Sequence, residues 1–312
     1  MEKMKPEIFY DILKNLEKVI QGKQEVLKQF LVCYFAGGHV LLEDVPGVGK
    51  TTLAKSLAIS VQSSFHRVQF TPDLLPADIT GNMIYSPKTG EFHFRPGPIF
   101  SDIFLADEIN RASPRTQSAL LEAMNEAQVS IEGKASPLSK VFTVIATQNP
   151  VAFHGTYPLP EAQLDRFYMR LGLGYPSRID ELAMLDTQQY SHPLSHLSSV
   201  TQIENILKAR EEVKSIKMGK EVCQYLLDIV EQSRKDTRLK LGISPRGSLA
   251  FYRTAQAKAW SEAREYVIPD DLKAVAIEVL SHRIVLETKV YHSGISPEEL
   301  IKDILAQTNV PV

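Results

Sequence analysis

With 312 residues and 44% apolar side chains, the chain can bury one large core or two smaller ones. Its 35 basic and 37 acidic residues leave a formal charge of −2, too little to advertise a nucleic-acid or membrane surface. Cys33 and Cys223 lie too far apart in sequence for a CxxC or Cys/His spacing, so neither a disulfide framework nor a zinc site is expected.

In chain order, the first nine residues carry Glu2, Lys3, Lys5 and Glu7 in place of a basic start and an apolar run, so they do not read as a signal peptide. No uncharged stretch approaches membrane-spanning length, and a cytoplasmic protein without membrane insertion is expected. Residues 6–36 show apolar positions at helical spacing with a break at Gly22, which predicts two helices. Gly37 and Gly38 then lead into His39, Val40, Leu41 and Leu42, the pattern of a buried parallel strand. Further apolar runs at 67–70, 103–106 and 141–146 alternate with helix-like segments, as in a parallel α/β sheet. Two hairpins interrupt this alternation, one over 81–95 around Pro87, Lys88, Thr89 and Gly90, the other over 128–141 with its tip at 133–137. Beyond Tyr175 and Pro176 the strand signals fade, and 203–213, 221–235, 248–260 and 269–282 read as helices. The division is therefore a nucleotide-binding α/β core over 1–175 and a smaller all-helical domain over 176–312.

The strongest chemical signal is Pro46-Gly47-Val48-Gly49-Lys50-Thr51-Thr52, set between a predicted strand and a predicted helix as a phosphate-binding loop requires. Glycines turn backbone N–H groups toward phosphates, Lys50 reaches the outer phosphates, and the Thr51 hydroxyl can ligate Mg²⁺. Asp44 stands where the usual GxxxxGK[ST] pattern has its first glycine, and the remaining loop chemistry does not depend on it. The run 103–106 ends in Asp107 and Glu108, two acids at the carboxyl edge of a strand, where Asp107 suits the Mg²⁺ shell and Glu108 suits the base that polarises water. A third strand ends in Thr147, Gln148, Asn149 and Pro150, which places Asn149 to orient the lytic water or sense the γ-phosphate. Hydrolysis also needs guanidinium donors, and the candidates are Arg166, in Leu164-Asp165-Arg166-Phe167, and Arg246, in Ser244-Pro245-Arg246-Gly247.

Together these pieces resemble the AAA+ superfamily, with Walker A, Walker B, sensor 1, arginine finger and sensor 2 in that order. The blocks Phe70-Thr71-Pro72-Asp73-Leu74-Leu75-Pro76-Ala77-Asp78-Ile79-Thr80-Gly81, Ala106-Asp107-Glu108-Ile109-Asn110-Arg111-Ala112 and Leu159-Pro160-Glu161-Ala162-Gln163-Leu164-Asp165-Arg166-Phe167 are similar to those of the MoxR family. The resemblance implies an AAA+ core with two β-hairpin insertions followed by a helical lid, using ATP and Mg²⁺. It implies a hexameric ring in which Arg166 reaches a neighbour's site and Arg246 acts from the lid of its own chain. It further implies chaperone-like maturation of client complexes, metal or cofactor insertion included, with partners carrying von Willebrand factor A domains.

Arg111 and Arg115, on the segment after the two acids, are candidates for a second arginine acting in trans, with a solvated helix face as the alternative. Lys88 and Lys134 at the two hairpin tips are candidates for touching a client, with exposed lysines of no specific role as the default, and the alternation of Phe92 and Phe94 reads as core packing. Two other functions compete: a scaffold that assembles on ATP and hydrolyses it only incidentally, which an intact Glu108 opposes, and a nucleic-acid motor, which the near-neutral charge opposes.

Overall fold

The computed structural model describes residues 6–131, 133–149, 156–188 and 193–311. Helices α1 (Glu7–Glu17) and α2 (Gln24–Phe35) precede β1 (Val40–Glu43), which runs into α3 (Lys50–Ser60). Then come β2 (Phe65–Gln69), the short α4 (Pro76–Thr80) and the hairpin of β3 (Gly81–Ser86) and β4 (Glu91–Pro96). Next are β5 (Ile103–Asp107), α5 (Pro114–Glu126), the hairpin of β6 (Gln128–Ile131) and β7 (Lys134–Pro137), β8 (Thr143–Gln148), α6 (Glu161–Leu164) and β9 (Met169–Leu171). The second half holds α7 (Arg178–Gln188), α8 (Ile203–Ser215), β10 (Lys217–Met218), α9 (Lys220–Lys235), β11 (Leu239–Leu241) and α10 (Pro245–Ser261). It ends with β12 (Tyr266–Val267), α11 (Pro269–Leu280), β13 (Val285–Leu286), α12 (Thr288–His292) and α13 (Pro297–Gln307).

Five strands form one sheet in the order β2-β5-β8-β1-β9, and every neighbouring pair is parallel. The inner strands read as unbroken apolar runs because both faces are covered. Val40, Leu42, Ile103, Leu105 and Ile145 face the helices α1 to α3, while Leu41, Phe104, Ala106, Val144 and Ala146 face α4 and α5, the period of two expected of a strand. Because all strands point the same way, the carboxyl ends of β1, β5 and β8 share one edge, where ligands of such sheets collect.

The first core cluster continues into the helical half, where Trp260 of α10 packs against Phe35 of α2 and Phe9 of α1, with ring centroids 4.8 and 6.4 Å apart. Among the described residues that half is helical apart from two short strand pairings, β10 with β12 and β11 with β13, which are too brief to leave a periodic signal. Both hairpins form. In the second, Lys134 already pairs with Ile131, so the strands meet earlier than the expected tip at 133–137; residue 132 lies outside the described residues. Phe92 corrects the expected core packing. Phe92 is 64% exposed and pairs with Tyr85 across the hairpin, whereas Phe94 packs on Phe100.

Candidate active site

The chain leaves β1 at Glu43, turns through residues 44–49 and re-enters helix at Lys50. Gly49 is the N-cap of α3 at φ +97°, and a Cβ there would also meet Ile20 at 3.3 Å, so only glycine serves. The N–H groups of α3's first turn have no partner within the helix, which leaves them for an anion at this terminus. Lys50 folds back along the loop, donating to the Asp44 and Val45 carbonyls, and burial lowers its pKa. Asp44 has a use of its own: its carboxylate accepts from the N–H of Val45 and from that of Gly174, tying the loop's start to the segment after β9.

Asp107 and Glu108 end β5 beside the loop. Asp107 Oδ1 accepts from Thr147 Oγ1 at 2.6 Å, and its Oδ2 accepts from Arg67 Nε and Nη2 at 2.9 and 2.7 Å. Glu108 sits at φ +55°, a left-handed conformation costly for a side-chain-bearing residue, and its N–H donates to the same Thr147 hydroxyl at 2.8 Å. Its carboxylate is held by Gln69 at 2.9 Å and Arg111 at 2.7 Å. Arg111 is therefore engaged within its own chain, while Arg115 lies exposed on α5.

Lys50, Thr51, Asp107, Glu108, Thr147 and Asn149 line one cleft of about 320 Å³. Hard oxygen donors from Thr51 and Asp107 fit Mg²⁺. On the other side of the loop a cavity of about 470 Å³ has Ile20, Val48, Tyr175 and Met184 among its walls. Gln21 lines it too, and its Oε1 is buried without a hydrogen-bond partner. An apolar slot with one orphaned acceptor, continuous with a phosphate cradle through Pro46, Gly47 and Thr52, fits a purine bearing an exocyclic amine. Sequence reasoning missed Gln21, Arg67, Gln69 and Thr147. For three of them the signal lay in register, since Gln69 pairs with Asp107 and β8 adjoins β5.

The two arginines are not part of this cleft. Arg166 precedes β9, and the N–H of Tyr168 donates to the carbonyl of His39, just before β1, so Arg166 belongs to the edge opposite the loop. A four-residue strand alone separates the two edges by about 13 Å. Asp165 binds Ser244 at 2.8 Å and the buried Arg283 at 3.0 Å, which docks the start of α10 onto this block. Arg246 consequently stands near Arg166, and burial, joined by the charge of Arg246, depresses the Arg166 pKa. With its amide oxygen toward Arg166, Asn125 accepts from all three guanidinium nitrogens at 3.1–3.3 Å. The start of α10, which carries Arg246, is thus anchored at the edge of the sheet opposite its own chain's phosphate loop.

Comparison with known proteins agrees with this architecture. Residues 39–169 match the ATPase family associated with various cellular activities (AAA), and residues 231–304 match the AAA lid domain. The Chaperone MoxR1 of Mycobacterium tuberculosis is 38% identical over 95% of this chain and 81% of its own. The chain belongs to the MoxR family of AAA+ ATPases. An uncharacterised Bacillus subtilis protein, YeaC, is 47% identical over 96% of this chain and 94% of its own. A crystal structure from Cytophaga hutchinsonii superposes with a TM-score of 0.90 at 36% identity, covering 98% of this chain and 96% of that one. As a MoxR-family protein the chain binds nucleotide and is an ATP hydrolase. Among the described residues no helix is long and apolar enough to cross a membrane.

Proposed function

We propose that this MoxR-family ATPase works as a closed ring, six-membered as in the resemblance, whose ATP sites are completed by the neighbouring subunit. The observation that carries this is the separation of Arg166 and Arg246 from their own phosphate loop by the width of the sheet. Hydrolysis needs a guanidinium at the γ-phosphate, and a head-to-tail contact between copies supplies it while closing a ring.

In this reading Pro46, Gly47, Val48, Gly49 and Thr52 cradle the phosphates, with Asp44 bracing the loop. Lys50 binds the outer phosphates, Thr51 and Asp107 hold Mg²⁺, Glu108 polarises the attacking water and Asn149 orients it. Mg²⁺ supplies charge neutralisation at the transferring phosphate. Glu108 is released to act when the phosphates of the nucleotide draw Arg111 and Gln69 away from it. The division at residues 175 and 176 separates the ATP-binding core from a lid that transmits each cycle to a client protein. Maturation of client complexes, metal or cofactor insertion among them, is the work so driven, with a von Willebrand factor A domain protein as partner, in the cytoplasm where ATP is supplied. The hairpin that presents Tyr85 and Phe92 outward gives such a client an apolar handle.

The test is ATP hydrolysis per chain as a function of protein concentration, with Arg166→Ala and Glu108→Gln alongside. Specific activity rising with concentration, and an Arg166→Ala protein that assembles but does not turn over, support the shared site. A flat profile with a fully active Arg166→Ala variant overturns it. Client maturation that persists in Glu108→Gln would move the function to a scaffold.

A further inference from the structure

On the sheet edge opposite the phosphate loop, a cavity of about 430 Å³ opens between the strand starts and the helices α8 and α10. His39, Phe142 and Tyr168 wall it from the core, and Arg210 and Arg253 enter from the two helices. Arg210 is only 8% exposed. Its Nε donates to the Tyr34 carbonyl at 3.1 Å, Nη2 donates to Thr143 Oγ1 at 2.9 Å, and the guanidinium lies 4.8 Å from the centre of the Tyr34 ring. All of these partners are neutral. Among the described residues no carboxylate forms an ion pair with Arg210, and burial lowers its pKa with only phenol and thiol groups acting against that shift.

The other charges around the cavity do not compensate. Lys140, Lys214 and Arg253 line it against a single acid, Glu211, which Lys214 already holds at 2.7 Å. Asp102 comes close behind Ser139, but its oxygens accept from Ser139 at 2.5 Å and from Ser64 at 2.7 and 2.9 Å. Arg253 donates to the neutral amide of Gln256 at 2.9 Å. Three cations, Lys140, Arg210 and Arg253, thus border one cavity without a paired anion among the described residues. A buried charge left uncompensated is costly, so this arrangement is relieved by an anion from outside.

We propose that this cavity binds a small phosphate-bearing anion, with Arg210 at its floor and Lys140 and Arg253 at its mouth. A guanidinium presents paired donors that match two oxygens of one phosphate, and a lysine adds a mobile point charge. Because the cavity touches both the strand starts and the lid helices, an occupant would tie the two together. This inference does not rest on the ring mechanism, since the cavity lies beyond the opposite end of β1 from the loop.

The experiment saturates the phosphate loop with ADP, then titrates inorganic phosphate, and separately glycerol 3-phosphate, at constant ionic strength while following the thermal midpoint. Phosphate stabilises proteins generally, so Lys140→Gln/Arg253→Gln serves as the reference for that background. Both substitutions lie at the mouth and leave the buried contacts of Arg210 intact. We expect a saturable rise in the wild type for at least one of the two ligands, with half-saturation shifted at least roughly tenfold upward in the double variant. Saturation by inorganic phosphate identifies the phosphate group as sufficient; saturation by glycerol 3-phosphate alone assigns a phosphorylated organic ligand. A rise linear in ligand, or one identical in the double variant, overturns the proposal.

Discussion

Thr147 donates its hydroxyl to Asp107 Oδ1 at 2.6 Å across the β5–β8 pairing, and Thr147 Oγ1 in turn accepts the N–H of Glu108 at 2.8 Å. One side chain on the neighbouring strand therefore fixes the metal-side acid and the backbone of the proposed base. Thr147→Val keeps the shape but leaves both partners unmet, and a hydrogen bond to a charged group contributes about 1.5–3 kcal/mol. Turnover is expected to fall about 10- to 100-fold, with the KM for ATP within roughly threefold of wild type, because the phosphate cradle is untouched. Thr147→Ser should restore turnover. Steady-state kinetics on the two variants checks this, and a Thr147→Val protein of wild-type kcat would remove Thr147 from the mechanism.

The orphaned Gln21 Oε1 makes a prediction about the base. An acceptor there favours a purine with an exocyclic amine by about 1 kcal/mol, so ATP should be preferred to inosine triphosphate by roughly fivefold in KM. Gln21→Leu should raise the KM for ATP and erase that preference. A variant that still discriminates places adenine recognition elsewhere.

How much of this was legible in advance differs by the range of the interaction. The phosphate loop and the acids Asp107 and Glu108 are contiguous in sequence, and their place at strand ends follows from apolar runs that both sheet faces must cover. Where Arg246 stands could not be read in the same way, because it depends on which side of the sheet the second domain packs. That is decided by contacts such as Ser244 with Asp165 and Trp260 with Phe35, each joining residues far apart in sequence. Arg67 and Gln69 were overlooked since nothing local distinguishes them from an exposed strand end; their meaning comes from the pairing of β2 with β5. Phe92 misled because alternation alone does not say which face of a two-stranded hairpin is covered.

Buried His39 gives the fold an acid-sensitive joint. Its Nδ1 accepts from the Val144 N–H at 2.9 Å, its Nε2 is 3.3 Å from the Met124 carbonyl, and burial pushes its pKa down to about 4. The unfolded chain takes up this proton below about pH 6.5 while the folded chain resists until about pH 4, so stability falls as pH drops through that window. His39 alone should contribute a slope of about 1 kcal/mol per pH unit there. Buried His282, also shifted down, adds in the same direction. Denaturant melts from pH 7 to 4.5 should show a shallower pH dependence for His39→Gln than for wild type, despite its lower stability at pH 7. Equal slopes would mean that His39 takes up its proton in the folded chain as readily as in the unfolded one.

The placement of Arg166 and Arg246 on one edge leads to a mixing experiment with opposite outcomes for the two arrangements. If both arginines serve the neighbour's nucleotide, each site takes its phosphate loop from one chain and both guanidinium groups from the next. An equimolar mixture of Lys50→Ala and Arg166→Ala chains then contains about a quarter of whole sites, and activity should recover to that level from two inactive proteins. Arg246→Ala should complement Lys50→Ala in the same way. Arg166→Ala and Arg246→Ala should not complement each other, because no chain in that mixture carries both arginines. If Arg246 instead reached the nucleotide of its own chain, this last pair would also recover about a quarter of the activity. ATPase assays on the three mixtures, with each variant's own activity measured and its assembly checked by sedimentation, therefore decide which chain supplies Arg246.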